Sequence, residues 1–381
     1  MNKTENGYAK VSNLQINKKR LDTPTLFFGQ PIGGTPNPWE FFDVDGILLN
    51  AYHLLKKKID IKKIVEKKSI NNYLNAKTKN VIMFDSGGFL FQKRSELNFD
   101  CRKILDIYRK TKPDIGVILD HPFSPILSEE ENVNERWTIT LENTRIMLRE
   151  EKNIVIFPVI HGYSKKQIER SWLDVKGILD EFQIMYENKL IIGIGSLVPL
   201  MMTSQGVKNG KTKIVDLIIK LRHLIPKAHI HAFGIGGATT ALIMFYLGID
   251  SLDSVSWRIK AANGAIQLPG VGDRFIKPPQ GRLALSRNEE KLLLNCSCPI
   301  CEDNPLKRRK FLLGPKAQSN FENRAIHNAW TYQNEIKECR KAIKDYRFEE
   351  FIRSRLKNSL MKSMFKYAVN VLTHKKLDLY N

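Results

Sequence analysis

Residues 81–89 read VIMFDSGGF, and this stretch decides the fold that the sequence predicts. A short apolar run that stops abruptly at turn residues is typical of a strand covered on both faces. The glycines that follow lack a Cβ, so the backbone there can turn tightly and approach a ligand closely. The stretch therefore predicts that Asp85 lies at the C-terminal tip of a buried strand. Taken alone, it fits a strand-to-helix turn capped by the aspartate equally well.

The same pattern recurs along the chain. β-rich apolar runs occur at residues 25–28, 47–50, 81–84, 115–119, 154–159, 190–194, 229–234 and 251–255, and helix-like segments separate most of them. Eight strands alternating with helices predict an α/β fold, and a (β/α)8 TIM barrel rather than an open doubly wound sheet. In such barrels the C-terminal ends of the strands build the active site. Polar residues or glycines stand at these ends or in the last run: Asn50, Asp85, Asp120, His161, Gly195, Ser196, Gly234 and Asp253.

The chain has 381 residues and a formal net charge of +21. This length suits one large barrel or two ordinary domains. The positive charge attracts polyanions, of which nucleic acid is the commonest in the cytoplasm, although a general richness in lysine contributes to it. No apolar run is long enough to cross a bilayer, and the N-terminal residues lack a signal-peptide core. We therefore expect a cytoplasmic protein that binds nucleic acid and not a membrane.

A cysteine cluster follows a change of pattern at Gly281. Cys296, Cys298 and Cys301 lie within six residues, and His327 follows on a helical stretch. Three thiolates and one imidazole form a closed tetrahedral set, which suits one structural Zn2+ per chain rather than a catalytic ion with an open position. The predicted domains are a catalytic barrel (1–280), a zinc-binding subdomain packed on it (281–340) and a basic helical C-terminal tail (341–381). The amphipathic residues 345–371 fit either a solvated helix face or a phosphate-contacting surface.

Several motifs taken together resemble those of the tRNA-guanine transglycosylases and their DNA-modifying relatives. The resemblance runs from about Thr23 to Trp330, in the order of the family. Its motifs are LNAYHL at 49–54, DSGGF at 85–89, LD at 119–120, IHG at 160–162, GSL at 195–197, GIDSLDS at 248–254, and the four predicted zinc ligands. It implies a (β/α)8 barrel with a zinc subdomain. It also implies a pentosyltransferase that exchanges a guanine base in a polynucleotide for a 7-deazaguanine without breaking the strand.

The resemblance implies a role for each site residue. Asp253 would be the catalytic nucleophile, and Asp85 the general acid/base beside the leaving and incoming bases. The substrate-binding residues would be Asp120, His161, Ser196, Leu197, Phe89 and Gly234. Each residue also has a structural interpretation, such as a helix cap for Asp253 or simple packing for Phe89.

The chemistry requires these residue types independently of the resemblance. Breaking an N-glycosidic bond develops positive charge on the sugar, which a carboxylate at the anomeric carbon can stabilise or bond covalently. A covalent intermediate keeps the strand attached while one base leaves and another enters. A second carboxylate can move protons at the purine. A third can accept from two N–H groups on the Watson–Crick edge of guanine, which rejects adenine.

Some positions depart from the pattern of the tRNA enzymes. Leu90 replaces a glutamine, Ser196 a glycine, and residues 161–163 read HGY. Together with the residues SVSWR at 254–258, which follow Asp253, these motifs are closer to those of the archaeosine-type and DNA-modifying branches. Both branches use 7-cyano-7-deazaguanine. The chain ends soon after the zinc helix, so we expect DNA as the polymer, with tRNA as the alternative. A homodimer is suggested by the resemblance, and a helper protein that opens DNA is a further candidate partner.

A function of another class is a non-catalytic, zinc-containing nucleic-acid-binding protein that kept the barrel. Binding alone would not require Asp85, Asp120 and Asp253 together. The three aspartates therefore favour an enzyme.

Overall fold

A parallel sheet forms the centre of the molecule. The structure is a computed structural model and describes residues 5–55, 58–91, 99–123, 130–184, 190–201, 208–302, 312, 320–357 and 359–377. The strands are β1 Ser12–Ile16, β2 Lys19–Thr23, β3 Thr25–Gly29, β4 Gly46–Asn50, β5 Val81–Asp85, β6 Ile115–Val117, β7 Val155–Phe157, β8 Val159–Ile160, β9 Ile191–Ile194, β10 His229–Ala232 and β11 Ser251–Ser254. β1 and β2 form an antiparallel hairpin, and the other nine form one sheet in the order β7-β6-β5-β4-β3-β11-β10-β9-β8.

The sheet closes through a strand that is broken at Pro158. β7 pairs with β6, whereas β8 pairs with β9 on the other side. Proline has no N–H to donate, but its carbonyl still accepts from the Gly193 amide at 2.9 Å. Since β7 and β8 are two halves of one barrel strand, the nine strands of the sheet make an eight-stranded barrel. The predicted (β/α)8 barrel is confirmed.

The described helices connect the strands and continue beyond β11. Their bounds are α1 Pro38–Phe41, α2 Ala51–Leu55, α3 Lys58–Glu66, α4 Ile70–Tyr73, α5 Arg102–Thr111, α6 Glu130–Glu150, α7 Lys165–Glu181, α8 Val198–Met201, α9 Gly210–Leu224, α10 Ala238–Tyr246, α11 Ser256–Ala262, α12 Arg287–Leu294, α13 Pro299–Glu302, α14 Phe321–Lys344, α15 Phe348–Arg355 and α16 Lys362–Leu377. A 3-10 turn at Gly88–Phe91 follows β5. No helix in the described part of the chain is long and apolar enough to span a membrane.

The long helix α14 joins the cysteine-rich region to the barrel. Near its start, the buried Arg324 guanidinium donates to the Ala261 carbonyl in α11 at 3.0 Å. Near its end, the Arg340 guanidinium donates to the Pro24 carbonyl, just before β3, at 2.8 Å. α14 therefore lies along the barrel wall beside β3 and α11.

The C-terminal helices fold back onto the barrel. Phe348 in α15 packs against Tyr246 of α10, with ring centroids 6.3 Å apart. The Tyr367 hydroxyl of α16 donates to Asp216 of α9 at 3.3 Å. The predicted helical tail is thus present as two amphipathic helices with one face buried against α9 and α10. Lys362 and Lys366 of α16 are exposed, and whether the tail contacts phosphates stays a prediction.

Candidate active site and metal centre

A cavity of about 390 Å³ opens at the C-terminal end of the barrel strands. Asp85, Asp120 and Asp253 all line it, although 168 residues separate the first from the last. Phe89, Ser196 and Gly234 line it as well. Parallel strands bring their carboxyl ends to one rim, which explains how distant aspartates share one cavity. A carboxylate set of this kind can perform acid/base and nucleophilic chemistry.

Glycines allow the turn after β5 to press against the neighbouring carboxylate. A Cβ on Gly88 would lie 2.0 Å from Asp120 Oδ1 and 2.5 Å from the Asp120 backbone carbonyl oxygen, so any side chain there would force a shift. Gly87 has a φ of +95°, a left-handed conformation that favours glycine. The turn that follows Asp85 therefore lies directly against Asp120.

The Asp85 carboxylate is partly buried at the tip of β5. Its Oδ2 accepts from Asn50 Nδ2, at the end of β4, at 2.9 Å. Burial raises the pKa of Asp85 from its ordinary 3.8 to about 7, with further increases from the nearby charges of Asp120 and Asp253. Asp85 is therefore protonated over part of the physiological pH range, which suits a group that donates a proton to a leaving base.

We expect this raised pKa to appear in stability as well as in rate. A carboxyl group whose pKa is higher in the folded state stabilises the fold below pH 4, and this contribution is lost as pH rises to about 7. Asp85→Asn has no ionisable carboxyl group at this position and escapes this loss. Its free energy of unfolding should therefore increase relative to that of the wild type when the pH is raised from 5 to 8. The gain between these two pH values is at most about 3 kcal/mol, because the pKa of about 7 lies about two units above pH 5 and one unit is about 1.4 kcal/mol. Urea unfolding of both proteins at the two pH values measures it.

A matched control for this measurement is Asp43→Asn. Lys77 and Lys79 lower the pKa of Asp43 to about 2, so its contribution changes only below pH 4. The control should show the same pH dependence as the wild type between pH 5 and pH 8. Equal pH dependence for Asp85→Asn and the wild type would contradict the raised pKa.

Asp253 lies in β11, half-buried at the cavity. Its Oδ1 accepts from the Gly234 amide at 2.8 Å, and its side chain is 14% exposed. Oδ2 has no hydrogen-bond partner among the described residues. One oxygen of the carboxylate is thus anchored and the other is available, as a nucleophile at the cavity requires.

Asp120 contacts a buried histidine. His161 Nε2 lies 2.9 Å from Asp120 Oδ2, an ion-pair distance, but its orientation is not that of a hydrogen bond. His161 Nδ1 lies 2.9 Å from Ser196 Oγ, within hydrogen-bond reach. Ser196 has a φ of +61°, which is unusual for a residue with a side chain and marks local strain. Strain at a cavity residue is typical of functional sites.

Two of the predicted substrate-binding residues do not line the cavity. The side chain of His161 is fully buried behind Asp120, and Leu197 is fully buried as well. Phe89 is 63% exposed at the cavity mouth, where a flat ligand could stack on it. His161 and Leu197 thus lie beneath the surface of the site, and Phe89 lies at its entrance.

Two interior residues, His231 in β10 and Phe233 directly after it, are not among the predicted site residues. Phe233 lines the cavity, and His231 lies beneath it, with ring centroids 4.5 Å apart. Residues two apart on a strand face the same side. This alternation was the signal that could have identified both residues as interior.

The predicted zinc ligands form one compact cluster. His327 Nδ1 lies 3.5, 3.4 and 3.6 Å from the sulfurs of Cys296, Cys298 and Cys301. A tetrahedral ion with Zn–S of about 2.3 Å and Zn–N of about 2.1 Å would hold nitrogen and sulfur about 3.6 Å apart. His327 Nε2 lies 2.9 Å from the Gln267 carbonyl oxygen, so the proton sits on Nε2 and Nδ1 is free to bind metal. The four side chains can therefore hold one metal ion.

This chain is similar to known proteins over most of its length. The model of the family described as Queuine tRNA-ribosyltransferase matches residues 5–360. The tRNA-guanine(15) transglycosylase of Methanococcus aeolicus is 25% identical over 361 residues, covering 93% of this chain and 51% of the relative. The protein of the same description from Pyrococcus furiosus is 27% identical over 351 residues, covering 90% and 54%. The chain thus spans about half the length of the curated relatives that it matches.

Proposed function

We propose that this chain, which belongs to the queuine tRNA-ribosyltransferase family, is a pentosyltransferase that exchanges a guanine base in a polynucleotide for a 7-deazaguanine. The observation that carries the proposal is the convergence of Asp85, Asp120 and Asp253 on one cavity. A volume of about 390 Å³ lies within the range of small-molecule sites, about 300 to 1,000 Å³. An extruded purine therefore fits the cavity as a ligand class.

The chemistry can be assigned to the three carboxylates. Asp253 attacks the anomeric carbon, the bond to guanine breaks, and a covalent sugar–enzyme ester holds the strand. Asp85, protonated below about pH 7, donates a proton to the departing guanine and then accepts one from the incoming base. Attack of that base on the sugar carbon releases Asp253. The strand is never cut, because the phosphodiester bonds take no part.

Asp120 supplies the selectivity for guanine in this proposal. An ionised carboxylate accepts from both N–H groups on the Watson–Crick edge of guanine, which adenine cannot offer. His161 contacts Asp120 from behind and is itself within hydrogen-bond reach of Ser196, and Gly88 lets Asp120 lie against the β5 turn. Phe89 covers the base at the mouth of the cavity.

The relatives favour tRNA as the polymer. The curated proteins reported above are described as tRNA-guanine(15) transglycosylases, so tRNA is preferred over the DNA that the sequence departures suggested. DNA remains the second candidate, because Leu90, Ser196 and the residues HGY at 161–163 resemble the DNA-modifying branch as well as the archaeosine-type branch. The 7-cyano base and a homodimer belong to the same proposal.

A paired labelling assay tests the function. The protein is incubated with radiolabelled guanine and either bulk tRNA or duplex DNA, and the label retained in the polymer is counted. We expect label in tRNA and little in DNA. Label in DNA alone would overturn the choice of polymer, and label in neither, with metal bound, would favour the non-catalytic binding protein.

We also propose that the metal is a structural Zn2+. Four protein ligands complete its coordination, so no position is left for a substrate or water. The ion would hold a subdomain at residues 281–340 against the barrel at residues 1–280, with residues 341–381 as the tail.

A further inference from the structure

A buried histidine points at the proposed nucleophile from beneath the cavity. His231 is fully buried, and its Nε2 lies 3.5 Å from Asp253 Oδ1. Nε2 makes no hydrogen bond with any described group. A buried nitrogen without a partner is costly, so such an atom in a core requires an explanation.

The opposite nitrogen of His231 belongs to a polar chain. His231 Nδ1 lies 2.8 Å from Ser251 Oγ, and the same oxygen lies 2.7 Å from His229 Nε2. Ser251 has one hydroxyl proton, which it can give to only one of the two rings. Burial lowers the pKa of His229 to about 4, so this ring is neutral at pH 7 and carries one proton. The hydrogen bonds among His229, Ser251 and His231 can then be arranged in two ways.

The carboxylate selects between these arrangements. If Ser251 donates to His229, a neutral His231 keeps its proton on Nδ1 and presents a lone pair to Asp253 at 3.5 Å, which is repulsive. If His229 donates to Ser251 and Ser251 donates to His231 Nδ1, the proton sits on Nε2 and faces Asp253. An imidazolium form of His231 would also carry a proton on Nε2. The carboxylate oxygen of Asp253 that faces Nε2 thus favours a proton on that atom.

We propose that His231 is a positioning residue for Asp253, holding Oδ1 through an Nε2–H that Ser251 and His229 fix in place. This inference rests on the proposed function, since it takes Asp253 as the nucleophile. Together with the Gly234 amide, His231 anchors Oδ1 and so orients Oδ2 toward the anomeric carbon. Hydrogen bonds of this kind are often long without substrate and shorten in the reacting complex.

Simple packing does not explain the chain. His231 does pack against Phe27, Phe157 and Phe233, and a phenylalanine would fill that space equally well. A ring that only packs gains nothing from two polar nitrogens, one of them unpaired. The hydrogen bonds from His229 through Ser251 to His231 are explained if they fix the Nε2 proton of His231 that faces Asp253.

Nitrogen NMR tests the proton position without any activity. The protein is labelled with 15N-histidine, and the His231 signals are identified by their loss in His231→Phe. We expect the shifts of a ring protonated on Nε2, either neutral or doubly protonated. A neutral ring protonated only on Nδ1 would overturn the inference, whether or not the protein exchanges bases.

Kinetics test the positioning role in the wild type, His231→Phe, His231→Gln and the control His223→Phe. His231→Phe removes the N–H but keeps the ring packing, and should lower kcat about 100-fold with an unchanged KM for guanine. His231→Gln restores an N–H donor and should recover most of the rate. His223, which contacts Tyr8 on the outer face, should be silent. Wild-type rates in His231→Phe, or no recovery of the rate in His231→Gln, would refute the role. If His231→Phe does not fold, the His231 signals are assigned through His231→Gln instead. The NMR spectrum of the wild type then decides alone. A wild type without exchange activity would refute the proposed function instead.

Discussion

Asp253→Asn is expected to abolish base exchange, with a loss of about 10⁴-fold or more, as is typical when a covalent nucleophile is removed. The carboxamide cannot bond to the sugar, so the covalent intermediate is not formed. Its oxygen can still accept from the Gly234 amide as Asp253 Oδ1 does at 2.8 Å, so the fold should be retained. The expected loss is therefore a loss of chemistry and not of structure.

A covalent adduct separates this prediction from a general loss of activity. Without an incoming base, the wild type should accumulate an enzyme–polynucleotide adduct that survives a denaturing gel, and Asp253→Asn should form none. The matched control is Asp22→Asn, whose exposed carboxylate pairs with Arg20 in the N-terminal hairpin. An adduct of normal yield in Asp253→Asn would show that another residue is the nucleophile. Loss of the adduct in Asp85→Asn, with retention in Asp253→Asn, would reassign the role to Asp85.

The sequence predicts the position of the three aspartates because strand order alone places them. Parallel strands end at one rim of a barrel, so residues at the tips of β5, β6 and β11 converge whatever the helices do. The strand at residues 154–159 was predicted as continuous, but it is split at Pro158 into β7 and β8. A proline within an apolar run is a signal for such a break, since it removes one ladder donor.

Side-chain direction was harder to predict than strand position. His161 and Leu197 stand at strand ends like Asp120, yet they lie behind the cavity. Gly88 is required by Asp120, a residue 32 positions away whose Oδ1 occupies the space of a Cβ. Contacts of this kind depend on the stagger of neighbouring strands, which no local pattern encodes. His231 differs from these residues, because the two-residue alternation along its strand does indicate that it faces the interior.

Cys298→Ala is expected to remove the metal ion and unfold the region around it. Cys298, Cys301 and His327 are fully buried, with Leu268, Leu293 and Leu312 packed around them. The free energy of binding a structural zinc, about 10 to 16 kcal/mol in zinc-finger peptides, is free energy of folding for such a small core. We expect one equivalent of zinc in the wild type and none in Cys298→Ala. Metal analysis and hydrogen exchange over residues 281–302 measure the two effects.

Cys339→Ala is the control for the loss of a buried thiol. Cys339 is fully buried on α14, the helix that carries His327, but it is not a member of the cluster. Its removal should cost some stability through a small cavity while the full equivalent of zinc is retained. A Cys298→Ala protein that keeps both its metal and its protection from exchange would contradict the four-ligand site.

Loss of the metal should also slow base exchange, although no ligand touches the cavity. One residue after His327, the Asn328 amide donates to the Trp257 carbonyl in α11 at 3.1 Å. α11 begins three residues after Asp253. α14 thus supports the segment that follows Asp253, the proposed nucleophile, so a loosened His327 should disturb the orientation of that carboxylate. A misplacement of about 1 Å can cost about 100-fold in rate. Full exchange activity in metal-free protein, with the wild-type amount of covalent adduct, would show that the ion stabilises its own region and has no influence on the nucleophile.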